Sequence, residues 1–261
     1  MGDDRRGDVH APAPAPAPAL KRRNRVSVIG ILGELLMTSG VILFLFLGWQ
    51  LWLNDLIVGT DQNNVGTALG ESWVGAVPTH QHTTVEASFG APVVAIAPGN
   101  TVQFAVLYVP RFGPDYARSI SEGVQTATVL DKNGIGHYPG TQMPGEVGNF
   151  AVAAHRTTHG APFKSLAALQ VGDKIYVQTQ DGYYTYNFRG LEYVRPTGVG
   201  VLDPVPQFAG VAPTDRLLTM TSCNPMFSAS ERIIAYAALD SWQPISAGAP
   251  AAIAAAIPAK S

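Results

Sequence analysis

From Val26 to Trp52 the chain runs VSVIGILGELLMTSGVILFLFLGWQLW, and a stretch this long and apolar constrains everything that follows it. As a helix rising ~1.5 Å per residue it spans roughly 40 Å, more than the ~30 Å hydrocarbon core of a bilayer, so it can cross with some tilt. A cleaved signal peptide has a shorter apolar stretch and then a small-residue cleavage site. Here the run continues through Leu45, Phe46 and Leu47 into Trp49 and Trp52, aromatics suited to the membrane interface. The reading is an uncleaved, single-pass anchor over 26–52. Arg5, Arg6, Lys21, Arg22, Arg23 and Arg25 precede it, and no Lys or Arg follows until Arg111. The positive-inside rule then sets residues 1–25 in the cytoplasm and everything after Trp52 outside. Glu34, the one formal charge in the span, is read as a tolerated polar residue or a contact to a partner helix.

Both ends are low in large apolar side chains. Residues 11–18 read APAPAPAP, which favours extended polyproline II. Residues 243–261 form an Ala-rich tail with Pro250 and Pro258, and neither end is expected to fold. Residues 53–100, without a basic residue, are read as a spacer that lifts the folded part off the bilayer. This leaves 101–242 as one domain of ordinary size. A net charge of −2, with 14% of residues charged, provides no basic field of the kind that draws nucleic acid. The expected lipid partner is the bilayer around the anchor.

Within 101–242, β-branched and aromatic residues cluster in strand-length runs at Val102–Val109, Asn149–Ala154, Lys174–Thr179, Tyr183–Val194, Leu217–Ser222 and Arg232–Leu239. Helical pattern is confined to about Arg118–Leu130 and a short turn at Phe163–Leu169. The fold class is therefore mainly β with at least six strands, closed into a barrel because closure removes exposed edges.

The chain has one cysteine, so no intrachain disulfide can form and Cys223 needs its own explanation. It follows LLTMTS and precedes Asn224 and Pro225, a strand end beside a turn. A buried, inert thiol is the alternative reading. A nucleophilic thiol needs a basic partner. His155 also follows a strand-like run, NFAVAA, and Arg232 opens the strand after the cysteine at a spacing that a hairpin can fold back beside it. A cation there steadies a thiolate or an oxyanion. His155 and His159 form HxxxH, which on a helix would set two zinc ligands on one face. The strand pattern of NFAVAA and the absence of an intervening Glu argue against it, so neither metal nor cofactor is expected. His80 and His82 read as solvated side chains. Tyr138 lies in the turn-rich segment GIGHYPGT, suited either to packing or to substrate contact.

TMTSC, from Thr219 to Cys223, resembles the TLxTC signature that ends a barrel strand in sortases, which place an Arg on the following strand and a His on an earlier one. AAHR, then Phe163, Leu166, Leu169, Gly172, Asp173 and Ile175, resembles the family's run from its catalytic His into the next strand. GHYPGT, PGEVGNFAVAAHRTTHGAPF and TSCNP are similar to the class E sortases of high-GC Gram-positive bacteria. Met220 and Ser222 depart mildly from the signature's Leu and Thr. The resemblance implies an eight-stranded barrel with short helices and a bacterial cell membrane location. It also implies a cysteine transpeptidase that cleaves a C-terminal LPxTG-like sorting signal after its Thr, with LAxTG preferred in class E.

On this reading Cys223 is the nucleophile, Arg232 the oxyanion donor and His155 the acid and base. Tyr138, Thr221 and Ser222 are expected at the substrate. The long loop from about Arg195 to Asp215 is expected to offer Val201, Leu202 and Pro204 as an apolar wall for the signal's Leu. The implied partners are secreted proteins bearing the signal, and an amine from a peptidoglycan precursor or a pilin lysine. Two rivals remain: an L,D-transpeptidase, whose SHGC motif contrasts with TSCNP here, and a non-catalytic tethered barrel that presents a peptide groove.

Overall fold

The structure, a computed structural model, describes residues 27–49, 53–74 and 89–257. The expected tail over 1–25, Trp52 and the His80/His82 pair lie outside these residues. Contacts divide the chain into two units, Met1–Leu45 and Phe46–Ser261. The first is represented by helix α1, Val28–Gly48, with no buried residue and a mean hydropathy of 2.2. Ser27 starts it: its Oγ accepts the Gly30 N–H at 3.4 Å and its carbonyl the Ile31 N–H at 3.0 Å. Largely apolar all round, with Glu34 its one charge, α1 is long and apolar enough to cross a membrane.

The second unit is a closed eight-stranded barrel, as expected: β1 (Gln103–Tyr108), β2 (Ala117–Glu122), β3 (Ile135–His137), β4 (Gly148–Ala154), β5 (Lys174–Gln178), β6 (Gly182–Val194), β7 (Arg216–Asn224) and β8 (Glu231–Pro244). The order around the barrel is β1-β2-β3-β4-β7-β8-β6-β5. The pairs β2/β3 and β4/β7 are parallel and the rest antiparallel. Alternation fills the interior. Leu107, Ile120, Ile135, Phe150, Val152, Ile175, Val177, Leu218, Met220, Ile233 and Ala235 form one buried cluster. Each large side chain there contributes roughly 1.5–3 kcal/mol by burial, and Phe150→Ala, at the centre, would cost about 3–5 kcal/mol.

Three expectations are corrected. The run read as helix from Arg118 opens as β2, and only Thr126–Leu130, continued by Asp131–Asn133, is helical. The spacer contains helix α2, Asn54–Val74, which packs on β1 and β2. Its buried Gly59, Gly66 and Gly70 let the backbones approach: a Cβ on Gly66 would lie 2.5 Å from the Ala117 carbonyl oxygen. Asn63 Oδ1 accepts the Ala117 N–H at 3.1 Å, and Gln178 Nε2 donates to the Gly70 carbonyl at 2.9 Å. Finally, Ile253 and Ile257 of the Ala-rich tail are buried in a second cluster with Val106, Tyr108 and Ala117, against which Leu69 and Trp73 also pack. With α2 covering its outer face, β1 is apolar on both sides, which explains the unbroken FAVLY.

Candidate active site

Strand parity assembles the site. On β7, Leu218 and Met220 point into the core, so Thr219, Thr221 and Cys223 belong to the opposite face. On β8, Ile233, Ala235 and Ala237 point inward and Arg232 takes that same opposite face. Cys223 and Arg232 are register partners, and residues directly opposite in an antiparallel pair hold their Cβ atoms about 4.5–5.5 Å apart. On β4, Phe150, Val152 and Ala154 point inward. The parallel register Ala151↔Thr219, Ala153↔Thr221, continued by two places, sets His155 level with Cys223 just past the strand end. The β7–β8 hairpin and β4, its neighbour in the barrel though remote in sequence, thus deliver a thiol, a guanidinium and an imidazole to one face.

Hydrogen bonds fix this face. Ser222 is buried and its Oγ donates to the Ala154 carbonyl at 2.8 Å, tying β7 to β4 beside His155. Thr221 Oγ1 lies 2.9 Å from Tyr138 Oη, so these two expected substrate residues meet each other. The Tyr138 turn is held by fully buried His137, whose Nδ1 meets Glu122 Oε2 at 2.6 Å and whose Nε2 faces Thr141 Oγ1 at 2.9 Å. Arg232 Nη1 donates to the Ala229 and Glu231 carbonyls at 3.0 Å each, which settles the guanidinium over its own hairpin. Cys223 is a free, partly exposed thiol.

Two further residues support the site that the sequence did not single out. Asp131, in the helical segment between β2 and β3, places Oδ1 2.8 Å from His155 Nε2. Arg156 is buried, and its Nε donates to the Lys164 carbonyl at 3.2 Å and its Nη1 to Asn224 Oδ1 at 3.1 Å. It clamps the loop after β4 to the turn after Cys223. Burial pushes its guanidinium pKa down from the usual value, though far too little to discharge an arginine.

The β6–β7 loop was expected to offer Val201, Leu202 and Pro204 to substrate. Val201 is buried, and its carbonyl and that of Asp203 each accept Asn149 Nδ2 at 3.0 Å, so Val201 anchors the loop rather than offering a surface. Leu202 is half-buried and Pro204 exposed. The loop's exposed apolar side chains include Val199, Phe208 and Val211. A cavity of about 440 Å³ between α2 and the barrel, lined by Leu56, Phe112, Tyr116, Arg118 and Pro162, includes none of Cys223, His155 and Arg232 and is not the reacting centre.

The sortase domain family matches residues 107–240, the part of the chain that contains all of these strands except the start of β1 and the end of β8. Sortase SrtE1 of Streptomyces coelicolor is 34% identical over 228 residues, which cover 85% of this chain and 60% of that protein. The chain thus spans about 60% of that relative's length, less than two thirds. Sortase SrtE2 of the same organism is 25% identical over 237 residues, 84% of this chain and 85% of that one. Among solved structures, the SrtA sortase of Actinomyces oris superposes with a TM-score of 0.60 at 37% identity, over 63% of this chain and 94% of that one. Sortase E1 of S. coelicolor, solved with a tripeptide in its active site, gives 0.55 at 39% identity, over 61% and 99%. The closed barrel, the Cys223–Arg232 pair with His155 beside it, and a family match over more than half of the residues together establish that this chain belongs to the sortase family of cysteine transpeptidases and is similar to its class E members.

Proposed function

We propose that this chain is a membrane-anchored sortase that cleaves an LAxTG- or LPxTG-like C-terminal signal between Thr and Gly and transfers the protein to an amine of a cell-wall precursor. The observation that carries the reading is the cross-strand pairing of Cys223 with Arg232, with His155 level with both across the parallel β4/β7 pair. The Cys223 thiolate attacks the Thr carbonyl carbon. The C–O π electrons move onto oxygen, where the Arg232 guanidinium donates hydrogen bonds to the oxyanion. As the C–N bond breaks, His155 gives its proton to the departing glycine amine, and a thioester remains on Cys223. An incoming amine attacks that thioester, neutral His155 takes the amine proton, and the thiolate leaves.

Anchoring is inferred from α1 together with the basic residues that precede it, which by the positive-inside rule support an orientation with the barrel outside. Protease added to intact protoplasts should digest the barrel; protection would reject that orientation. Tyr138, which shares a hydrogen bond with Thr221 on the same face as Cys223, is the residue we infer to select Ala over Pro at the signal's second position. The testing experiment compares LAxTG and LPxTG peptides with a stem-peptide amine and a pilin-type lysine peptide as acceptors. The reading expects faster turnover of LAxTG, a smaller difference in Tyr138→Phe, and preference for the stem-peptide amine. Equal rates for both signals reject the assigned specificity, and preference for the pilin lysine assigns the enzyme to pilus assembly instead.

A further inference from the structure

The HxxxH pair looked incapable of sharing a ligand because β4 keeps its strand character up to His155. The structure removes that obstacle. β4 ends at Ala154, and Thr158 and His159 adopt positive φ (65° and 49°), which folds the chain back on itself. The two imidazoles stack, with centroids 5.0 Å apart and planes at 28°. Both direct Nε2 at one atom, Asp131 Oδ1, at 2.8 Å from His155 and 3.5 Å from His159. Ligand atoms of all three residues lie within 4.8 Å of one another. Two atoms each ~2.05 Å from a tetrahedral zinc are ~3.3 Å apart, so small side-chain adjustments would bring the three to coordinating distance. Two imidazole nitrogens and a carboxylate oxygen suit zinc and its neighbours in the first transition row. The side chains are 22%, 44% and 28% exposed for His155, His159 and Asp131, which leaves an entry path and room for water as a fourth ligand.

The turn that carries His159 is also held in place. Asp55 of α2 accepts the Thr158 N–H at 3.0 Å and the Gly160 N–H at 3.3 Å, and Gln62 Nε2 donates to the His159 carbonyl at 3.0 Å. Backbone on both sides of the second histidine is thus fixed from a packed helix, so little ordering is needed on binding.

We propose that Asp131, His155 and His159 form a binding site for a zinc-class divalent cation, and that the bound ion switches off acyl transfer by coordinating His155. Coordination uses the Nε2 lone pair and displaces any proton held there. The other ring nitrogen of a neutral, metal-bound imidazole carries N–H and has no lone pair to take a proton from the acceptor amine. The switch rests on His155 as acid and base in the proposed function; the binding does not.

The test uses the full-length, tag-free protein in detergent micelles. Cobalt(II) is titrated into Cys223→Ala, which removes the thiol as a competing ligand, and zinc is then used to displace it. One equivalent should give the visible absorption of four-coordinate cobalt. His159→Asn in the same background should weaken both ions by more than about tenfold, since even outer partners of metal ligands are worth 10–100-fold. Asn suits the left-handed backbone at this position, and an unchanged thermal midpoint checks that the variant folds. In the enzyme with its cysteine, buffered zinc should inhibit transpeptidation and chelator should restore it. His159→Asn, scored against its own zinc-free rate, should need about tenfold more zinc for the same fractional inhibition. Cobalt and zinc affinity unaltered by His159→Asn overturns the site. Zinc inhibition unaltered by that substitution assigns the effect to Cys223 and overturns the switch. The cobalt arm needs no substrate, so its outcome is independent of the proposed acyl transfer.

Discussion

Replacing Arg156 by alanine removes a buried cation that joins the loop after His155 to the turn after Cys223. Its two well-formed bonds, to the Lys164 carbonyl at 3.2 Å and to Asn224 Oδ1 at 3.1 Å, are charge-assisted; a third contact, to the Cys223 carbonyl at 3.5 Å, is too long to count for much. At roughly 1.5–3 kcal/mol each, the two sum to about 3–6 kcal/mol. Burial of the guanidinium, which also depresses its pKa, offsets part of this and leaves a net loss of about 2–4 kcal/mol. For a folded unit of this size, with a midpoint shift of about 2–4 °C per kcal/mol, unfolding should move down by about 4–16 °C. The assay is thermal unfolding in micelles followed by tryptophan fluorescence, paired with kcat at a temperature where both proteins are folded. The alanine variant should lose kcat as well as stability, because His155 and Cys223 are no longer held in one frame. Arg156→Lys should recover only part of both, since an ammonium cannot reach two acceptors as the planar fork does. A midpoint within about 2 °C of the unmutated protein, with kcat unchanged, would refute the clamp.

Three other outcomes follow from the same structure. Gly66→Ala sets a methyl 2.5 Å from the Ala117 carbonyl oxygen, so α2 must shift; limited proteolysis should cut within Asn54–Val74 sooner than in the unmutated protein, and equal cutting contradicts the docking. Arg232→Ala should lower kcat about 10²–10³-fold with little change in the thermal midpoint, and single-turnover acylation within about twofold of the unmutated rate at every pH would make this arginine structural. The Asp173 carboxyl is held below the usual carboxylate range, first by hydrogen bonds from Arg111, whose Nε and Nη2 lie 2.7 and 2.6 Å away. A depressed carboxyl stabilises the fold above its unfolded value of about 3.9 and loses that contribution as pH falls through its folded value. Asp173→Asn should therefore lower the midpoint at neutral pH and lose this effect in acid; an equal difference at both pH values would contradict the coupling.

How far these features could be read from residues depended on the kind of contact that creates them. Six strands announce themselves because they are runs of strand length rich in β-branched, aromatic and aliphatic residues. β2 does not: ARSISE has one large apolar side chain, and three of its buried polar side chains are matched only in the fold, Ser119 by Gln103, Ser121 by Asn133 and Glu122 by His137. Local propensity carries no trace of those partners. β3, of three residues, is too short for a period to register. α2 escapes notice because it docks through glycine rather than through an apolar stripe, its sequence being rich in Asn, Gln and Gly. At the site, Cys223, His155 and Arg232 were legible because each lies at the edge of a strand-like run. Asp131 was not, since its tie to His155 spans 24 residues and depends on the order of strands around the barrel. The left-handed turn at Thr158 and His159 likewise leaves no mark in residue type.

If Cys223 is the nucleophile, the sorting signal acylates its thiol, and intact-protein mass spectrometry detects that adduct directly. The purified chain is mixed with an LAxTG peptide in the absence of any acceptor amine and quenched in acid. A single adduct is expected, whose mass equals the peptide portion ending at Thr, less one water. The adduct should map to Cys223, vanish with hydroxylamine or an added stem-peptide amine, and be missing from Cys223→Ala and His155→Ala. An adduct that survives in Cys223→Ala, or peptide cleavage by that variant at the unmutated rate, would contradict it.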